Sequence, residues 1–378
     1  MWRGVPLFFA KTSGTTSGAK YIPLTKVSLA CQIKAARNAL FHYVATSGNH
    51  QFIDGKMIFL QGSPQLNKLS KVPSGRLSGI VANYVPSYLQ SNRLPSYKTN
   101  CIEDWEQKVE AIIDETLSED MRLISGIPSW VQMYFERLQK RTGKNIAELF
   151  PNFSLFVFGG VNFAPYRKKF EKLIGKKVDS LELYPASEGF IAFQDTHNEK
   201  GLLLLLDFGI FYEFIPVDEF YDETPTRISL EDVKMGLHYV IILNTNAGLW
   251  GYNIGDTIEF TSLNPYRIIV TGRIKHFTSA FGEHVIAKEV EHAMKKATEA
   301  FPEVEITEFT VAPQIEPDKG LPYHEWFVEF VSPPNDIDKF SKSIDKSIPG
   351  LRSTYYNDLI EGKVFEVSSY YKLGEKCL

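Results

Sequence analysis

The chain reads as an α/β protein of two domains, a large α/β domain ending near Gly272 and a smaller α+β domain after it. Three observations carry this reading. Through the middle of the chain, apolar residues at helical spacing alternate with short apolar runs of strand type. Glycines punctuate the ends of those runs. The 378 residues, 44% of them apolar, exceed one average domain and can furnish a large core.

The first element is an apolar strand, Leu7-Phe8-Phe9-Ala10, which breaks into Lys11-Thr12-Ser13-Gly14-Thr15-Thr16-Ser17-Gly18-Ala19-Lys20 before Tyr21-Ile22-Pro23. Such a loop can wrap a phosphate: glycines let backbone N–H groups approach an anion, hydroxyls add donors, and Lys20 supplies a full charge. A flexible Ser/Thr/Gly linker has the same composition. Walker A spacing fails, because Gly14 and Gly18 enclose three residues and Ala19 separates Gly18 from Lys20. Ser17-Gly18-Ala19-Lys20 matches S-x-x-K, but that pattern needs a helix, whereas Ile22-Pro23 favours strand or loop. Neither S-D-N nor K-T-G occurs downstream.

Ile102, Trp105, Val109, Ile112, Ile113 and Thr116 recur at helical spacing and lead to a short strand, Arg122-Leu123-Ile124-Ser125. A second helix starts near Ser129. Leu155-Phe156-Val157-Phe158 reads as a buried strand that Gly159-Gly160 breaks; Pro165 opens a helix that Gly175 closes, and Val178 to Tyr184 returns as a strand. This is a βαβ unit, whose right-handed crossover makes its strands parallel. Gly159-Gly160 and the segment after Tyr184 therefore emerge at one carboxyl edge, where ligands bind in such sheets.

Tyr184-Pro185-Ala186-Ser187-Glu188-Gly189 emerges there. Tyr184 can cover an aromatic base, Ser187 can meet a phosphate, and Glu188 can hold a Mg²⁺ that bridges phosphate oxygens. The same pair also reads as a helix start, Ser187 capping and Glu188 lying on the helix dipole. A third cluster, Gly248-Leu249-Trp250-Gly251-Tyr252-Asn253-Ile254-Gly255-Asp256-Thr257, lies between strands Tyr239 to Leu243 and Ile258 to Thr261. Asp256 can accept both hydroxyls of a ribose, or be a plain Gly-Asp turn. The fourth is Val270-Thr271-Gly272-Arg273-Ile274-Lys275-His276-Phe277, where Arg273 offers a planar donor fork or is a solvated strand-end arginine.

Composition narrows the partners. Net charge is -4, from 41 basic and 45 acidic residues dispersed along the chain, so no footprint for nucleic acid is present. Cys31, Cys101 and Cys377 are far apart and lack metal-ligand spacing, which points to a reducing compartment without structural zinc. The longest apolar run, Leu202 to Leu206, ends at Asp207, and Met1-Trp2-Arg3-Gly4 opens no signal peptide. The expectation is a cytoplasmic protein with no membrane partner.

These four clusters, in this order, resemble the acyl-adenylate-forming superfamily and, within it, the auxin-responsive promoter family of acyl-acid amido synthetases, the bacterial branch being the closer match. Gly126-Ile127-Pro128-Ser129-Trp130, Phe158-Gly159-Gly160-Val161, Phe208-Gly209-Ile210-Phe211-Tyr212-Glu213-Phe214 and Asn264-Pro265-Tyr266-Arg267 extend the likeness over nearly the whole chain. The extra residue between Gly18 and Lys20 separates this loop from that of common acyl-CoA ligases. The resemblance implies a large N-terminal acyl-adenylate-forming domain with mixed sheets and a small mobile α+β domain. It implies a two-step reaction: a carboxylic acid and ATP give an acyl-adenylate and pyrophosphate, and an amine, usually an amino acid, then attacks to give an amide.

Carried onto this chain, the resemblance places Thr12, Ser13, Gly14, Thr15, Thr16 and Lys20 around the phosphates. Tyr184 packs on adenine opposite Gly160 and Val161, Ser187 touches phosphate, Glu188 binds Mg²⁺, and Asp256 with Arg273 holds the ribose. Lys20, Glu188 and Arg273 are the catalytic candidates. Tyr84, Trp130, Phe158 and Gly159, with Val161, are candidates to face the acyl acid, although aromatic residues at such positions are also ordinary core packing.

The sequence departs from the family at Asn253 and Gly251, where relatives carry arginines. Relatives also carry a helical segment ahead of the phosphate loop and a late K-L-G-G-Q-x-K-x-P-R motif, answered here by Lys372-Leu373-Gly374-Glu375-Lys376-Cys377-Leu378. The expectation is a large ATP- and acid-binding domain, 1–272, lacking its N-terminal segment, and a truncated small domain, 273–378. The small domain comprises a helix over 285–300, strands Ile306 to Val311 and Trp326 to Val331, and a helix beginning near Ile337. Its hinge lies near Arg273, with Gly272 and Lys275 as pivots. The expected protein is a monomer or weak homodimer acting on small molecules; an acyl-CoA ligase and a non-catalytic nucleotide-binding relative are the alternatives.

Overall fold

The computed structural model describes residues 5–12, 20–67, 71–84, 90–102, 104–160, 163, 166–197, 199–274, 287–314, 323–345 and 370–372. The chain divides into two units: Met1–Leu237 with Ile241–Ile254 and Glu259–Ile269, and His238–Val240 with Gly255–Ile258 and Val270–Leu378.

In the first unit, β1 (Phe8–Thr12) and β2 (Lys20–Leu24) form an antiparallel hairpin, and β1 pairs in parallel with β4 (Ser74–Gly75). The larger sheet begins with β3 (Lys56–Leu60), β5 (Arg93–Leu94), β6 (Met121–Gly126), β7 (Leu155–Gly159) and β8 (Asp179–Pro185). These pair in parallel in the order β5-β3-β6-β7-β8. Beyond β8 come β9 (Phe190–Phe193), β10 (Leu202–Leu204), β11 (Ile210–Pro216), β12 (His238–Thr245), β13 (Tyr252–Leu263) and β14 (Tyr266–Arg273), of which His238–Val240, Gly255–Ile258 and the end of β14 from Val270 belong to the second unit. The full order is β11-β12-β13-β14-β10-β9-β8-β7-β6-β3-β5, with β8, β9, β10 and β14 antiparallel in turn. The sheet is mixed, as expected.

β7 shows how the sequence builds the layers. Residues two apart share a face, so Phe156 and Phe158 join the core formed with helices Trp105–Thr116, Pro128–Thr142 and Arg167–Ile174, while Leu155 and Val157 face helix Lys26–Ser47. Burial on both faces is what its unbroken apolar run encodes. Gly175, at φ +79, closes the third of those helices, as its sequence position predicts.

Helix Lys26–Ser47 has no counterpart among the sequence expectations. Thr25 caps it, accepting from Ser28 N at 3.1 Å, and the Tyr43 hydroxyl donates to Asp179 Oδ2 at 2.7 Å, fixing the helix to the start of β8. The Asn264–Arg267 motif also serves the fold. Arg267 grips Asp195 through Nε–Oδ1 at 3.1 Å and Nη2–Oδ2 at 2.6 Å, with both side chains about nine-tenths buried.

In the second unit, β15 (Glu305–Gln314) pairs antiparallel with β16 (Tyr323–Ser332), which pairs in parallel with β17 (Tyr370–Lys372). Helices Ala287–Ala300 and Ile337–Asp345 supply Met294, Phe340 and Ile344 to a core around Trp326 and Val328. The two helices, β15 and β16 answer the expected elements, the strands running longer than expected, and β17 has no counterpart in the sequence reading.

Candidate functional site

The first unit gathers its candidate residues at the carboxyl edge of the parallel strands and at the β1–β2 hairpin. Thr12 and Lys20 lie directly opposite each other in the hairpin register. Lys20 opens a strand, so the helical S-x-x-K reading has no support. Ser13, Gly14, Thr15, Thr16 and Val161 lie outside the described residues, as does Lys275.

Gly159 pairs with Leu183 across β7 and β8, so the loops after the two strands leave at the same edge. The two glycines there have different reasons. A Cβ on Gly159 would stand 2.3 Å from the Leu183 carbonyl oxygen, so only hydrogen fits. Gly160 has open space around it but φ +86, a left-handed conformation that side chains disfavour.

Ser187 and Glu188 form the tip of a hairpin. The N–H of Ala186 donates to Gly189 O at 2.9 Å, the N–H of Gly189 donates back to Ala186 O at 3.2 Å, and β9 follows. The helix-start reading of this pair is thereby corrected, because the next residues must return antiparallel to β8. Two side chains brace the turn. Gln32 Nε2 donates to Ala186 O at 2.8 Å, and the Tyr252 hydroxyl donates to the Glu188 carboxylate. Burial, then the neighbouring charge and hydrogen bond of Glu188, hold the Tyr252 hydroxyl above the ordinary phenol range. Neither brace is an assignment made by the sequence. Tyr252 stands inside the Gly248–Thr257 cluster, but its partner lies 64 positions back in the chain.

Tyr184, next to last in β8, is 8% exposed. Trp130, third in helix Pro128–Thr142 just beyond β6, is half-buried against the core. Tyr84 is exposed and meets Phe8 edge-on, with ring centroids 6.0 Å apart. Phe158 is a correction: it is 5% exposed and packed between Phe156 and Phe163, at 5.2 and 4.8 Å, so strand alternation assigns it to the core. At Gly159 the β8 backbone leaves no room for a Cβ.

In the second unit, Asp256 lies within β13, not in a turn between strands; the turn is Asn246–Gly251. Gly255, at φ +88, kinks the strand one residue earlier. Arg273 Nε approaches Asp256 Oδ1 to 3.0 Å, and Thr271 donates to or accepts from Thr257 at 2.9 Å beside them.

Among the described residues no group of three or more His, Cys, Asp or Glu could hold a metal ion. Mg²⁺ carried on a nucleotide takes one or two carboxylates and otherwise phosphate and water, a donor type that the Glu188 carboxylate has. Among the same residues Cys31 and Cys101 are free thiols, and no helix is long and apolar enough to cross a membrane.

Residues 70–178 match the GH3 family N-terminal domain and residues 203–273 the GH3 family central domain. The jasmonoyl-L-amino acid synthetase JAR4 of Nicotiana attenuata is 32% identical over 120 residues, which span 30% of this chain and 21% of that protein. The GH3.15 acyl acid amido synthetase in complex with 2,4-DB superposes with a TM-score of 0.76 at 15% identity, over 97% of this chain and 75% of its own. The amide bond synthetase McbA from Marinactinospora thermotolerans gives 0.55 at 16%, over 97% and 64%. O-succinylbenzoate coenzyme A synthetase from Bacillus subtilis, in complex with ATP and magnesium, gives 0.52 at 14%, over 97% and 66%. At these identities the three structures establish the acyl-adenylate-forming fold. Two domain models of the GH3 family thus match in sequence order on a chain of that fold, and the chain spans about a fifth of the curated relative it matches.

Proposed function

We propose that the chain is an ATP-dependent ligase that adenylates a carboxylic acid and joins the acyl group to an amine, an amino acid by analogy with its amido-synthetase relatives. The observation that carries this reading is Glu188, one carboxylate braced at a tight turn on the sheet edge where Gly159-Gly160 also emerges. The acid's carboxylate attacks the α-phosphorus of ATP and pyrophosphate leaves; the amine then attacks the acyl carbon and AMP leaves. The first step brings two anions together, so charge must be neutralised.

In this reading Thr12 and Lys20, with the 13–16 segment, hold phosphate oxygens. Ser187 meets a phosphate, Tyr184 with Gly160 and Val161 borders adenine, and Asp256 with Arg273 receives the ribose. Glu188 would hold Mg²⁺, which when bound supplies positive charge to the phosphates. Tyr84 and Trp130 remain the side chains offered to the acid. The setting is a reducing cytoplasm, and the acting form a monomer or weak homodimer.

Product mass spectrometry tests the reading: the protein is incubated with MgATP, a panel of acids, a panel of amino acids and coenzyme A. An amide of one acid and one amino acid is expected; a thioester as the dominant product would make it an acyl-CoA ligase.

A further inference from the structure

Tyr252 ties the Glu188 turn to the apolar cluster beneath the hairpin. Tyr252 donates its hydroxyl to the Glu188 carboxylate, while its ring packs against the apolar cluster of Ala10, Ile22, Leu24 and Leu29 beneath β1 and β2. The entry to β13 is itself fixed, because the N–H of Gly251 donates to Asn244 Oδ1 at 2.7 Å. An unbraced glutamate at a hairpin tip samples several rotamers, and ordering it on ligand binding costs free energy. A donor held on a packed ring removes part of that freedom beforehand, and an ionised carboxylate, with two acceptor oxygens, can accept from a hydroxyl and still ligate a cation.

We propose that Tyr252 is a positioning residue that holds the Glu188 carboxylate in register with the hairpin, so that the nucleotide's Mg²⁺ meets a pre-oriented ligand. The inference rests on Glu188 as the magnesium-binding carboxylate of the reading above. Groups that orient a metal ligand typically contribute ten- to a hundred-fold to metal affinity.

Calorimetry separates positioning from structure, with ATP titrated in EDTA and again at saturating Mg²⁺, and the ratio of the two Kd values read as the magnesium increment. Tyr252→Phe removes one oxygen and keeps the ring. It should lower the increment about ten-fold while the EDTA affinity stays within roughly two-fold of wild type. Leu249→Ala, which disturbs the same apolar cluster, should lower the melting temperature and leave the increment intact. Combined with Glu188→Gln, Tyr252→Phe should cause no further loss.

A full increment in Tyr252→Phe, or equal losses with and without metal, overturns the proposal. If Glu188→Gln also keeps a full increment, the reading of Glu188 falls with it; if Glu188→Gln loses the increment and Tyr252→Phe does not, only the positioning role falls. Should Tyr252→Phe not fold, Tyr252→His, whose ring donor reaches less far, is read the same way: a reduced increment upholds the proposal and a wild-type one overturns it.

Discussion

Arg273 Nε lies 3.0 Å from Asp256 Oδ1, so the two residues proposed for the ribose pair with each other on adjacent strands. Asp256 is the more enclosed, with 18% of its side chain exposed against 53% for Arg273. The ion pair fixes the carboxylate's direction, which a vicinal diol needs. Asp256→Ala should weaken ATP and AMP by about 1.5–3 kcal/mol, the range for a charge-assisted hydrogen bond, and leave inorganic pyrophosphate unchanged. Calorimetry with the three ligands checks this; equal losses for all three would assign the Gly255-Asp256 kink to folding.

Phe158 should behave as a core residue. Phe158→Ala should lose about 3–5 kcal/mol of stability in urea unfolding, whereas Phe158→Leu should fold and keep the acid preference of the wild type. A changed acid preference in Phe158→Leu would return the residue to the pocket wall.

Gly159 and Gly160 should separate by substitution. Gly159→Ala drives a Cβ into the Leu183 carbonyl and should destabilise by about 1–3 kcal/mol. Gly160→Asn should lose less, because asparagine tolerates a left-handed backbone and space is open there. Comparable losses in thermal unfolding would show that Gly160 is also hemmed in.

Glu182, two residues before Tyr184, carries a pH signature. Burial pushes its carboxyl above the ordinary range, with the charge of Arg167 opposing in part. A carboxyl raised in the folded state favours folding while protonated, below its unfolded pKa of about 4.3, and loses that stability as pH rises toward the folded value. Glu182→Gln should therefore gain stability relative to wild type at neutral pH and little at pH 4, as read by urea midpoints. A pH-independent difference would mean that desolvation of the charge is not what the strand bears.

β6, β7 and β8 are legible in the sequence because they are short, centred on apolar residues and separated by helices with clear stops, as at Gly175, whereas β3 and β5 have no counterpart among the sequence expectations. Helix Lys26–Ser47 escapes that reading. It buries small residues, Ala35 and Ala39, together with Gln32 and Tyr43, so its apolar stripe is weak even though its cap, Thr25-Lys26-Val27-Ser28, is well formed. Among the candidate residues, Glu188, Asp256 and Arg273 stand out in the sequence by residue type. Their partners do not, since Tyr252 reaches Glu188 only through the tertiary path of β13, and the Ser187-Glu188 turn is set by antiparallel pairing that neither residue encodes. Phe158 misleads for the complementary reason: a phenylalanine beside Gly159-Gly160 reads the same whether alternation turns it to the core or to a pocket.

Pyrophosphate release from MgATP, followed with and without a carboxylic acid and then with an amine, bears most directly on the proposed ligase chemistry. Pyrophosphate should appear only when an acid is present, turnover should rise with an amine, and Glu188→Gln should slow release by about a hundred- to a thousand-fold. Acid-independent ATP hydrolysis, or MgATP binding with no pyrophosphate released across the acid panel, would contradict it.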